Sequence, residues 1–80
     1  MHWITDVTYI EGYKLKIKFE NNEYKIVDLQ PHLDGKIFEP LKDISYFKSV
    51  TFNKDIDTLV WPNNADFSPD FLYEIGENIK

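Results

Sequence analysis

YKLKIKFENNEYKIVD, residues 13–28, is the stretch that decides the fold. Tyr13, Leu15, Ile17 and Phe19 alternate with Lys14, Lys16 and Lys18, and a period of two makes a strand with one apolar and one charged face. Glu20-Asn21-Asn22-Glu23 follows, and Asn at both central positions tolerates the positive φ of a tight hairpin. A two-residue turn there predicts pairing of Phe19 with Tyr24, Ile17 with Ile26 and Leu15 with Asp28, so that apolar side meets apolar side. The other face then sets Lys18 across from Lys25, like charges that are tolerable only where water screens them. The expectation is a solvent-facing basic row of Lys14, Lys16, Lys18 and Lys25. Such a row can meet a nucleic-acid backbone or an acidic partner, but more often it only guards an exposed sheet. No aromatic is expected among these lysines, which favours the guarding role over nucleic-acid binding.

Working outward, Trp3 to Ile10 mixes β-branched and aromatic residues and reads as a first strand, closed by a turn at Glu11-Gly12. After Asp28, Pro31 and Gly35 punctuate a short helical turn and a loop. Pro40 can begin a helix with Leu41, Ile44 and Phe47 on one stripe. Val50–Asn53 and Ile56–Trp61 read as a second hairpin around Lys54-Asp55, and Phe71, Leu72 and Ile75 mark a last amphipathic helix that Gly76 helps to stop. The order β-β-β, short helices, β-β, α predicts an α+β fold in one domain, residues 1–80, with antiparallel hairpins packed against a C-terminal helix.

A chain of 80 residues buries only about 60% of its unfolded surface, so its core needs help. With no cysteine, disulfides, thiolate metal sites and thiol catalysis are excluded. Six Phe, five Tyr and two Trp compensate, since each can bury roughly 150–250 Å². Net charge is −5 and arginine is absent, which argues against direct nucleic-acid binding because phosphate and guanine are best read by Arg. No apolar run approaches a membrane span and MHWITDV lacks a signal pattern, so a cytoplasmic location is expected.

The run LVWPNNADFSPDFLYE, residues 59–74, reads as a hard corner. Pro62 ends strand pairing, and Asn63-Asn64 tolerates the left-handed backbone a reversal needs. Ser68 is a good N-cap, Pro69 fits the first helical position, Asp70 suits the positive helix start, and Phe67 with Leu72 has the spacing of a hydrophobic staple. Asp66 is the residue left over: it either closes an Asx turn, the commoner role of Asp in loops, or faces a ligand.

Trp61-Pro62-Asn63-Asn64-Ala65-Asp66, followed by Ser68-Pro69 and Leu72, resembles the W-P-N-G-A-D signature of a family of small bacterial proteins known as domain of unknown function 2442. Phe19-Glu20-Asn21, Asp28-Leu29, Pro31, Leu33, Gly35, Phe38, Leu41, Asp43, Phe47 and Val50 extend the resemblance over nearly the whole chain. Asn64 departs from the usual Gly, and Asn is the substitution a left-handed position tolerates best. The resemblance implies an α+β fold. It also implies one of three settings: alone, beside another small protein in toxin–antitoxin-like pairs, or fused to a helix-turn-helix domain. No helix-turn-helix is expected within these residues, so the part that would touch DNA is not expected here.

The remaining constellations are weak. His2 and His32 have no partner at metal-ligand spacing, and Asp70 with Glu74 falls on the side of the last helix away from Phe71 and Ile75, where both are solvated. Asp55 and Asp57 lack the glycine and closing glutamate of a calcium loop. Glycines at 12, 35 and 76 make no phosphate cradle, and no nucleophile elbow is present. Neither a metal, a cofactor nor catalysis is expected. Tyr9, Tyr46, Tyr73 and Trp3 exceed what one small core needs by pattern; they either anchor an interface or cap the core edges. The functional expectation is therefore a non-enzymatic module that binds a partner protein or a second copy of itself, with Trp61, Asn63, Asn64, Asp66 and Tyr73 as candidate contacts. The alternatives are a small-ligand sensor with an aromatic pocket at the Trp61–Asp66 corner and, second, a weak nucleic-acid binder through the Lys14, Lys16, Lys18 and Lys25 face.

Overall fold

Alternating apolar residues must find a common core, and in this chain they do so through a meander. The computed structural model describes residues 2–79. Its strands are β1 (Ile4–Glu11), β2 (Lys14–Phe19), β3 (Tyr24–Asp28), β4 (Thr51–Asn53), β5 (Thr58–Val60) and β6 (Glu77–Asn78). The helices are α1 (Ile44–Phe47) and α2 (Pro69–Ile75), with 3₁₀ turns at Gln30–His32 and Lys36–Lys42 between β3 and α1. One sheet has the order β1-β2-β3-β6, and β4 and β5 form a separate hairpin. All pairings are antiparallel, so the α+β expectation holds.

Leu15, Ile17 and Phe19 are fully buried, as the alternation requires. The register of β3 is different from the one read in the sequence. Leu15 pairs with Val27, Ile17 with Lys25 and Lys18 with Tyr24, because the loop has three residues, Glu20 to Asn22. Phe19 N–H donates to the Glu23 carbonyl at 2.9 Å, Asn22 N–H donates back to the Phe19 carbonyl, and Asn22 sits at φ +66. That is a turn followed by a left-handed residue, the usual three-residue hairpin. A slip of one residue turns every side chain of β3 over. Val27 enters the core, Lys25 follows it inward, and Tyr24 and Ile26 move to the lysine face.

The same bend occurs a second time. Trp61 N–H donates to the Ala65 carbonyl at 3.0 Å, Asn64 N–H donates to the Trp61 carbonyl at 2.9 Å, and Asn64 has φ +69. In both bends the preceding asparagine closes an Asx turn: Asn21 Oδ1 accepts from Glu23 N–H and Asn63 Oδ1 from Ala65 N–H. Pro62 takes the slot of Glu20, where a turn favours proline. Each bend opens on a buried aromatic, Phe19 or Trp61. The second bend folds Asp66 back to bridge Val60, which aims the chain at Ser68 and the start of α2.

Aromatic contacts carry the core across the molecule. Tyr13 meets Phe47 at 5.3 Å, Phe47 meets Trp61 at 5.5 Å, Trp61 meets Phe67 at 6.0 Å, and Phe67 stacks on Phe38 at 4.8 Å. Pro40 lies inside the second 3₁₀ turn rather than at a helix start, and α1 is capped by Asp43, whose carboxylate accepts from Ser45 N–H. The second hairpin turns over Lys54–Asp57, so Ile56 is in its loop and exposed. At the end of α2 Gly76 is not left-handed (φ −73); it lets the chain pass against Lys25 and enter β6. On β1, register shifts at Thr5 and Ile10 leave those residues without a partner on β2, two bulges in an eight-residue strand.

Candidate functional site

The corner at residues 61–66 is built inward. Trp61 is 1% exposed, and its indole Nε1–H donates to the Phe47 carbonyl at 2.9 Å. Asn63 Nδ2 donates to the Ile37 carbonyl at 2.9 Å, while its Oδ1 holds the Asx turn. Asn64 supplies backbone conformation. The Asx turn expected of Asp66 is made by Asn63. Asp66 is exposed, and among the described residues its carboxylate has no hydrogen-bond partner. Of the polar groups expected to close a ligand pocket here, Asn63 is engaged within the fold, while Asn64 and Asp66 are exposed. Three hollows on the surface are lined by other residues, none from this corner.

Tyr73 belongs to a different neighbourhood, at the tip of the β2–β3 hairpin. Its hydroxyl donates to Glu23 Oε2 at 2.8 Å, its ring meets Phe19 edge-on at 5.0 Å, and His2 stacks on it at 3.6 Å. The Glu23 carboxylate, and secondarily burial, hold the phenol above its ordinary value. Lys25, expected on the basic face, is 8% exposed and lies beneath this ring. Its Nζ is 3.8 Å from the Tyr73 centroid and donates to the Tyr73 carbonyl at 2.8 Å. An ammonium can be buried there because the π face and a carbonyl at the negative end of α2 both favour its charge, while its stem packs as hydrocarbon. Lys25 is therefore a core residue, a correction that follows directly from the register.

Of the other spare aromatics, Tyr9 and Tyr46 pack against the core and Tyr9 donates to the Gly12 carbonyl, whereas Trp3 is exposed. The first two cap core edges.

What remains is the outer face of the four-stranded sheet. Here β2 presents Lys14, Lys16 and Lys18, paired with Glu11, Thr8 and Asp6 of β1. On their other side stand Asp28, Ile26 and Tyr24 of β3, and Glu77 of β6 lies beside Ile26. Tyr24 is 41% exposed and Ile79 44%. The Nζ atoms of Lys16 and Lys18 lie 5.0 and 5.7 Å from the Tyr24 ring centroid. An aromatic therefore does stand among the lysines, contrary to expectation. A three-residue reading of the Glu20–Asn22 loop is the sequence signal that would have placed Tyr24 and Ile26 there.

Among the described residues no group of three or more His, Asp or Glu side chains is placed to hold a metal ion. No helix among them is long and apolar enough to cross a membrane.

These features define a small α+β domain whose sheet is packed on one face and bare on the other. The model of a family described as "protein of unknown function (DUF2442)" matches residues 4–78; the chain belongs to that family. No curated protein and no solved structure matches it.

Proposed function

We propose that this chain is a non-enzymatic interaction module, the regulatory or antitoxin-like half of a small bacterial two-gene pair acting in the cytoplasm. It meets its partner protein through the outer face of the β1-β2-β3-β6 sheet. The observation that carries the reading is the composition of that face. A sheet side turned permanently to water is expected to be polar, yet Tyr24 and Ile79 stand half-exposed there beside Ile26. Tyr is enriched where proteins meet, because its ring is apolar and its hydroxyl tolerates water. A domain this small also gains stability by adding buried area from a partner. The two-gene setting rests on the company that members of the family keep.

The test is co-expression with the product of the neighbouring gene, with a tag on one chain only, followed by size exclusion with light scattering. A stoichiometric complex is expected, weakened by Tyr24→Ser. A strictly monomeric chain that carries no partner through purification would refute the reading.

A further inference from the structure

Charge on the outer face lies in stripes, and the stripes restrict what can cover it. Asp6 and Glu11 of β1 form an acidic stripe, Lys14, Lys16 and Lys18 of β2 a basic one, and Tyr24 and Ile26 of β3 an apolar one. Neighbouring strands put these stripes about 4.8 Å apart. Among the described residues the ion pair within bonding distance is Lys42 with Glu39, so none of the three lysines is paired with a carboxylate there. Two hollows follow one another along β3. One, of about 500 Å³, lies between Lys16, Tyr24 and Ile79. The next, of about 230 Å³, lies between Lys14, Ile26 and Glu77.

Resting on the interaction-module reading, we infer that the occupant of this groove is an extended, acidic-apolar segment of a partner protein, about five residues long to match β3. Its carboxylates meet Lys14, Lys16 and Lys18, and its alternate apolar side chains meet Tyr24, Ile26 and Ile79. An extended chain repeats each side-chain row every two residues, roughly 6.8 Å, and the lysines of β2 repeat at that same interval. One row of acids therefore stays in step with them.

Two other occupants fit less well. Nucleic acid is held best by Arg, which this chain lacks, and it brings no row of aliphatic side chains to Ile26 and Ile79. A second copy would lay one sheet face on another and leave the two hollows unfilled, whereas an extended segment can lie in them.

The experiment is a titration of the full ¹⁵N-labelled chain, followed by amide chemical shifts. The probe is a capped pentapeptide alternating glutamate with valine; the controls are its lysine counterpart and a single-stranded oligonucleotide. Saturable shifts confined to residues 14–18, 24–26 and 77–79 are expected with the glutamate peptide alone. They should weaken about tenfold in the double variant Lys16→Glu, Lys18→Glu, whose own spectrum reports that it is folded, and they should fade between about 50 and about 200 mM salt. An absent response, shifts elsewhere, an equal response to the oligonucleotide or indifference to the charge reversal each overturns the inference. If the double variant still captures the neighbour-encoded protein, the module reading stands and this occupant is wrong. If neither variant nor parent captures it and the groove is inert, both fail.

Discussion

The two asparagine bends permit a matched test of how this backbone is held. Asn22 and Asn64 sit at φ +66 and +69, and among the described residues neither side chain makes a hydrogen bond. Substitution therefore reports on the backbone almost alone. The left-handed region costs an ordinary L-residue roughly 1–2 kcal/mol, of which Asn already bears a part, so Asn64→Ala should destabilise by about 1 kcal/mol. Asn64→Gly removes the strain but gives the unfolded chain more freedom, roughly 0.5–1 kcal/mol, and should fall close to neutral. For a domain of this size 1 kcal/mol corresponds to about 4–8 °C in Tm. Thermal and urea unfolding should therefore rank Gly and Asn together, well above Ala, at both position 22 and position 64. The preceding asparagines should differ from one another. Asn63→Ala leaves the part-buried Ala65 N–H without its acceptor and removes the tie to the exposed Ile37 carbonyl, a loss of about 1 kcal/mol, whereas Asn21→Ala leaves only an exposed N–H to water and should lose less. If Gly at position 64 proves as damaging as Ala, the bend is not held by its left-handed residue and the reasoning fails.

Register supplies a second prediction: Val27→Asp should abolish folding and Ile26→Asp should not, as read by circular dichroism; the reverse result would restore the two-residue turn. Trp61→Phe leaves the buried Phe47 carbonyl without its indole donor and opens a gap, a combined loss of about 2–4 kcal/mol, which urea unfolding would register; a loss below about 0.5 kcal/mol would show the contact to be incidental. The raised value of the Tyr73 phenol, above 10.0, means that the fold favours the protonated form. Its contribution is fully present below that ordinary value and is lost as pH rises through the folded one. Wild type should therefore lose more stability than Tyr73→Phe between about pH 9 and pH 11, and superimposable pH profiles would contradict the Glu23 hydrogen bond.

The parts of the fold legible in the sequence are those where one local rule acts alone. Alternation on β2 has lysine at every other position, so one face can be core. Pro69 behind Ser68 starts α2 where it should. Asn64 is left-handed, as its place in the corner demanded. The register of β3 was not legible, because Glu20-Asn21-Asn22-Glu23 suits a two-residue or a three-residue loop equally well. Tyr24, Ile26 and Val27 offer apolar residues to either face, so the pattern does not arbitrate. Lys25 was misplaced for that reason alone: nothing local announces that an ammonium will find the Tyr73 ring and carbonyl, 48 residues away in sequence. β6 has only two residues, and it exists because Gly76 lets the chain run beside β3, a tertiary accident of position. At the corner, Trp61 is a candidate contact by sequence, and the donor bond that draws it inward ends on the Phe47 backbone carbonyl, which has no sequence signature.

The kinks at Thr5 and Ile10 have a bearing on life in a crowded cell. β1 is the outermost strand of its sheet, and a strand from another molecule would need an unbroken run of evenly spaced donors and acceptors to zip onto it. An irregularity near each end confines any such zipper to about four residues, too short to persist. At its start the second hairpin already takes one donor, with Ile4 N–H bonded to the Asp57 carbonyl, so what is left of this margin gives a second copy too little to thread onto.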